Sequence, residues 1–124
     1  VNKKRPINLD LGTMKFPVMA IASILHRISG LVLFILLPLM LWFLNHSLES
    51  AESFAALQGT LGNICYKILL WAFCAALVYH VLAGIRHLFM DAGFGEQLCA
   101  GRYTANFVIG ASVILSILLG IWIW

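Results

Sequence analysis

An all-α integral membrane protein built as a three-helix bundle is the fold class this sequence predicts, and three observations carry it. Hydrophobic residues make up 62% of the 124-residue chain and charged residues only 10%, against roughly 45–50% and about 25% in soluble domains. The apolar residues gather in three stretches, 17–44, 61–90 and 104–124, each reaching or exceeding the ~20 residues that cross a bilayer core of about 30 Å. None of the stretches has the continuous polar face of a helix on a soluble protein. A chain of this length forms one unit, 1–124, and its excess apolar surface must face lipid.

The first helix opens at Pro17, a residue suited to the first helical position, and Asn45, His46 and Ser47 are expected to close it. Pro38 lies inside it and is expected to bend it, as membrane helices tolerate. The connector that follows contains the run from Ser47 to Phe54, which suits a short interfacial helix, and His46 in it is expected to be solvated. The second helix, Leu61 to Met90, has Lys67 near its start. The segment from Asp91 to Tyr103 contains Gly93, Gly95 and Gly101 and reads as a tight connector. The third helix, Thr104 to Trp124, carries no charge. A mixed, largely polar run separates the basic start from an apolar stretch longer than the ~7–15 residues of a signal sequence, so no cleavable signal is expected.

Charge bears on orientation. The net charge of +3 is too modest to imply a nucleic-acid partner. Lys3, Lys4, Arg5 and Lys15 precede the first helix, and Arg86 and Arg102 flank the second connector. The first connector holds Glu49 and Glu52, with only Lys67 nearby. The positive-inside rule then places the N-terminus in the cytoplasm and the C-terminus on the outer, periplasmic side, with Trp42, Trp122 and Trp124 in the outer aromatic belt. Cys65 and Cys74 stand too far apart along one helix to pair, and Cys99 falls in a polar loop. With no CxxC or metal-ligand spacing, all three read as packing or loop residues.

Ionisable residues inside a bilayer are costly and face a partner, a cavity or a cofactor. Counting about 20 residues inward from the outer end of each antiparallel helix, at about 1.5 Å each, places His26, Arg27, Arg86 and His87 at one level near the cytoplasmic boundary. His80 lies about 10 Å deeper by the same count. Its neighbours four residues away, Ala76 and Gly84, leave room for a flat group such as a porphyrin. Haem iron commonly takes an imidazole ligand, but small residues are also how membrane helices pack closely, and the residues alone leave both readings of His80 open. Ser23 and Arg27, four residues apart, share a face that Gly30 continues. They suit a polar headgroup such as a quinone carbonyl or a haem propionate, or else a snorkelling arginine beside a packed serine. Arg86 and His87 read as interfacial anchors. The third helix has no histidine and His26 is counted as shallower than His80, so any second haem ligand is expected from another chain.

Two blocks carry a family resemblance. Arg5-Pro6-Ile7-Asn8-Leu9-Asp10-Leu11, Phe16-Pro17 and Ser23-Ile24-Leu25-His26-Arg27-Ile28-Ser29-Gly30 form the first. His80-Val81-Leu82-Ala83-Gly84-Ile85-Arg86-His87-Leu88-Phe89-Met90-Asp91 forms the second. Together they resemble the cytochrome b556 membrane-anchor subunits of succinate dehydrogenase, over nearly the whole chain. The resemblance implies a multi-pass subunit of the bacterial inner membrane, embedded in lipid beside a second small anchor subunit. It also implies an iron–sulfur subunit and a flavoprotein subunit that oxidises succinate, so that electrons pass to ubiquinone and the chain itself is a non-catalytic anchor. His80 then corresponds to the axial ligand of haem b, with the opposite ligand on the second anchor subunit. His26 and Arg27 correspond to the haem propionate region, and Ser23 and Arg27 to the quinone site. The alternatives are a fumarate reductase anchor, the same chemistry reversed, and a cofactor-free structural membrane protein. A transporter is disfavoured because the ionisable residues gather at one boundary rather than along a path.

Overall fold

The computed structural model describes Ile7, Leu9, Asp10, Gly12 and residues 14–124. Lys3, Lys4 and Arg5 of the orientation argument, and Arg5, Pro6, Asn8 and Leu11 of the first resemblance block, lie outside the described residues. Among the described residues four helices follow in order: α1 (Val18–Glu49), α2 (Ala51–Leu61), α3 (Ile64–Asp91) and α4 (Leu98–Ile123). α1, α3 and α4 are each long and apolar enough to cross a membrane. The short α2 is the additional helix suited to the first connector, though it begins four residues later than the run starting at Ser47.

The boundaries differ from those expected, for local reasons. Pro17 sits just outside α1 in extended backbone, and its carbonyl accepts from the Ala20 and Ile21 amides. α1 also continues through Asn45, His46 and Ser47 to Glu49. These polar residues bond along the helix instead of ending it. Asn45 Nδ2 donates to Glu49 Oε1 at 2.6 Å, His46 Nδ1 lies 3.0 Å from Glu49 Oε2, and Ser47 Oγ donates to the Leu44 carbonyl at 2.7 Å. His46 is therefore a helical residue, set edge-on against Trp42, and not a loop histidine. Pro38 lies within α1 without ending it.

The chain turns at Ser50. Its hydroxyl accepts from the Ser53 amide and its amide donates to Ser53 Oγ, both at 3.0 Å, a reciprocal cap that starts α2. Ser53 Oγ also donates to the His46 carbonyl at 2.8 Å, holding α2 against the end of α1. Asn63 caps α3 by accepting from the Cys65 amide at 2.8 Å. The second connector is shorter than expected, residues 92–97, and turns through Gly93 (φ +91) and Gly95 (φ +71), a backbone region open to glycine at no steric cost. α4 starts at Leu98, six residues early, so Cys99 and Arg102 are helical and not in a loop. The early start brings Gly101 into contact range of Met19 on α1.

α3 packs against both α1 and α4. Small residues line these seams: Ala22, Ala83, Ala105 and Gly101 are buried, as are Ser29 and Ser112. Around them Tyr79, Ala83 and Val108 form the core cluster. Large apolar side chains point outward, such as Phe34 at 77% and Phe107 at 62% exposed. This inversion suits lipid, where burying an apolar side chain between helices gains little and close packing of small residues gains more.

Among the described residues, polar groups bridge the three long helices at four places. Tyr79 Oη donates to the Ala22 carbonyl at 2.6 Å. Ser29 Oγ lies 2.9 Å from His80 Nδ1. Trp71 Nε1 donates to the Ser116 carbonyl at 2.8 Å. Arg86 donates to Thr104 Oγ1 at 3.1 Å and to the Gly101 carbonyl at 3.2 Å. Interhelical hydrogen bonds of this kind contribute about 0.6 kcal/mol on average and up to about 1.7. The buried Tyr79 bond falls between these values. Tyr79→Phe is expected to destabilise the bundle by about 1 kcal/mol, read as a lower thermal midpoint in mild detergent. An unchanged midpoint would show that the bond contributes nothing.

Candidate functional site

The polar residues singled out in the sequence converge where α1 and α3 face one another. The His26 and His80 rings stack, with centroids 4.2 Å apart and planes 20° from parallel. His87 follows, its centroid 6.2 Å from that of His26. His26 lies beside Gly84 and His80 beside Gly30, so His80 is set deeper than His26, as counting from the helix ends implied, but by only about one turn, and the two rings meet. The register between α1 and α3 comes from side-chain contacts, and end-counting is good only to about one turn, or 5.4 Å. Tyr79 opposite Ala22 and His80 opposite Ser29 and the His26 carbonyl set that register.

Close approach of the helices makes the stack possible. A Cβ on Gly30 would stand 3.1 Å from His80 Cε1, so the imidazole lies against bare α1 backbone. A Cβ on Gly84 would stand 3.7 Å from His26 Nε2, so His26 occupies the reciprocal place on α3. The space beside Gly84 therefore borders both histidines and not His80 alone. His26 Nε2 is buried and has no hydrogen-bond partner among the described residues. An imidazole nitrogen left so is costly unless something outside the chain meets it.

Two concavities border the stack. On one side His26, His80, Val81, Gly84, Ile85, His87 and Leu88 line an open, mainly apolar groove of about 460 Å³. On the other, Ala22, Ser23, His26, Arg27, Ala83, Arg86 and His87 line a smaller polar cleft of about 110 Å³. Ser23 and Arg27 are both exposed and meet at this cleft, as their spacing on one face predicts. His26 and His87 belong to both concavities. Arg86 is not a plain interfacial anchor: its bonds to Thr104 and Gly101 tie α3 to α4.

Two residues escaped the sequence reading. Ser29 is buried and bridges His26 and His80: its hydroxyl donates to the His26 carbonyl at 2.7 Å and lies 2.9 Å from His80 Nδ1. Its place three residues after His26, on the same face, was the available signal. Tyr79 joins the backbone just before Ser23, and nothing in its apolar surroundings marks it. Among the described residues no group of three or more His, Cys, Asp and Glu is arranged to hold a metal ion. The imidazole of His80 instead borders the open, mainly apolar groove.

Comparison with known proteins agrees with this layout. The family model for the succinate dehydrogenase/fumarate reductase transmembrane subunit matches residues 1–119. The succinate dehydrogenase cytochrome b556 subunit of Coxiella burnetii is 50% identical over 125 residues, covering 100% of both chains. That of Paracoccus denitrificans is 35% identical over 114 residues, 92% of this chain and 88% of the relative. The succinate dehydrogenase cytochrome b560 subunit of Reclinomonas americana is 31% identical over 129 residues, 95% and 85% of the two chains. The helices that span, the histidines between them and this full-length similarity lead to one assignment: the chain belongs to the family of succinate dehydrogenase/fumarate reductase transmembrane subunits, alongside the cytochrome b556 subunits.

Proposed function

We propose that this chain is a single membrane-anchor unit of a succinate:quinone oxidoreductase, that it holds haem b through His80, and that it frames the quinone site with Ser23 and Arg27. The observation that carries the reading is the stacked His26–His80 pair, set over Gly30 and Gly84 between an apolar groove and a polar cleft.

The residues present fit a haem. The groove beside His80 is lined by Val81, Ile85 and Leu88, which suit the apolar faces of a porphyrin. The unpartnered Nε2 of His26 suits a propionate, and the exposed guanidinium of Arg27 suits its charge. His80 would hold the haem from this chain, and because the groove is open a second membrane subunit would supply a further ligand and cover it. When bound, the haem supplies a one-electron redox centre within the membrane.

Quinone is the substrate of the cleft. Its reduction adds two electrons and two protons, converting both carbonyls to hydroxyls. Ser23 donates a hydrogen bond to one carbonyl oxygen and so orients the ring. Arg27 balances the negative charge that builds on that oxygen before it is protonated, an effect that a partly water-excluded site strengthens. The electrons originate from succinate, whose conversion to fumarate releases two electrons and two protons on a flavoprotein subunit, and they arrive through an iron–sulfur subunit. The relatives named above are succinate dehydrogenase subunits, which favours succinate oxidation over fumarate reduction; ubiquinone is the acceptor in this reading.

The cleft and its cationic side chains mark the end of the bundle shared by the start of α1, the end of α3 and the start of α4, where Lys15, Arg27, Arg86 and Arg102 gather. We assign this end to the cytoplasmic face of the bacterial inner membrane and the end bearing Trp122 and Trp124 to the periplasmic face. The iron–sulfur subunit then docks where quinone binds.

Arg27→Ala is expected to lower succinate-driven quinone reduction by about tenfold or more, while succinate oxidation by an artificial dye stays at the wild-type rate. Equal loss of both activities would remove Arg27 from the quinone site. His80→Ala in the intact complex, purified through a tag on this chain, is expected to lose the b-type reduced-minus-oxidised spectrum. A wild-type spectrum in that variant would mean that His80 is not the ligand, and a colourless wild-type complex would return the chain to a cofactor-free anchor.

A further inference from the structure

The two ring nitrogens of His80 face different surroundings. Nδ1 lies 3.2 Å from the His26 carbonyl oxygen and 2.9 Å from Ser29 Oγ. A carbonyl oxygen only accepts, so the proton in the first contact belongs to Nδ1. The single hydroxyl proton of Ser29 is directed to that same carbonyl, at 2.7 Å. The serine oxygen therefore also turns a lone pair towards Nδ1. Both neighbours favour one tautomer of the neutral imidazole, with the proton on Nδ1 and the lone pair on Nε2. Gly30 holds the ring in this position: a Cβ there would stand 3.1 Å from Cε1 and 3.6 Å from Nδ1, so any side chain would push the imidazole away from its two acceptors. His80 Nε2 is not among the enclosed, unpaired atoms, and His80 lines the open groove.

We propose that Ser29, acting with the His26 carbonyl, is the positioning residue for the haem ligand: it holds His80 as the Nδ1–H tautomer and so presents the Nε2 lone pair to the groove. This rests on His80 as the axial ligand. Ser29 lines neither the groove nor the cleft. It acts through the ring, since an acceptor on the distal N–H orients the imidazole and raises its basicity as a ligand. The same carbonyl joins His80 to the α1 turn that carries Ser23 and Arg27, so ligand orientation and cleft geometry share one piece of backbone.

The test uses the intact complex carrying wild-type chain, Ser29→Ala, Ser29→Thr or His80→Ala. Haem per mole of this chain and the haem midpoint potential, by optical redox titration, are the readouts. In Ser29→Ala only the longer carbonyl contact remains. Haem affinity is expected to fall about 10–100-fold, as for other outer-shell partners of metal-bound histidines. The midpoint potential is expected to rise, because a less basic imidazole stabilises the ferric iron less. A tenfold shift in that equilibrium would read as ~59 mV for the one-electron couple. Ser29→Thr, which keeps the oxygen, is expected to return both values towards wild type. If Ser29→Ala does not accumulate, Ser29→Cys carries the same test with a weaker acceptor of similar size. Wild-type haem content and potential in Ser29→Ala would overturn the positioning role, as would a threonine variant shifted as far as the alanine one. Haem loss in His80→Ala beside an unaltered Ser29→Ala would overturn the positioning role alone. An unaltered spectrum in His80→Ala would overturn the ligand assignment and, with it, the role of Ser29.

Discussion

The seam between α1 and α3 is the contact on which the rest of the structure depends. Two consecutive α3 residues, Tyr79 and His80, reach across it to two α1 carbonyls one turn apart, those of Ala22 and His26. In a bilayer no water competes for these groups, so a polar side chain inside the bundle settles where a neighbouring helix offers a partner. The same pairing fixes how α1 and α3 slide and rotate against each other. Gly30 and Gly84 allow the approach, and the two imidazoles fill the space that side chains there would occupy.

The groove and the cleft are by-products of that seam. Stacking His26 on His80 brings both rings to an apolar groove and His26 also to a polar cleft. Because His26 and His87 border both, a ligand in either concavity meets side chains that the other also touches. Arg86 would add a second cation free to approach a ligand, but its hydrogen bonds to Thr104 and Gly101 commit it to α4. Arg27, exposed and on the same face as Ser23, keeps its guanidinium available. The division of labour between the two arginines follows from what each helix face meets.

The helix ends show how local chemistry modifies a reading based on polarity. Asn45, His46 and Ser47 look like a helix terminus because such side chains compete for backbone partners. Here Glu49 lies three and four residues ahead and engages two of them along the helix, while Ser47 bonds back to Leu44, and the real stop waits for the cap at Ser50. The start of α4 moved the other way, since Gly101 and Thr104 are needed at the seam with α3 and helical geometry there lines up the Arg86 partners.

The three spans and the residues that break them were legible in the sequence because lipid imposes rules of length and polarity that composition alone can meet. His26, Arg27, His80, Arg86 and His87 stood out for the same reason, and the four-residue spacing of Ser23 and Arg27 was enough to place them at one cleft. The stacking of His80 on His26 was not legible, nor was the contact of Ser29 with His80, the bond from Tyr79 or the commitment of Arg86 to α4. Each depends on the register and rotation of one helix against another. Those are decided by close contacts at Gly30, Gly84 and Ala22, among atoms 51 to 57 residues apart in the chain for the His80 and Tyr79 bonds. A helix carries its own pitch in its sequence; which turn of a neighbour it meets is a property of the packed pair.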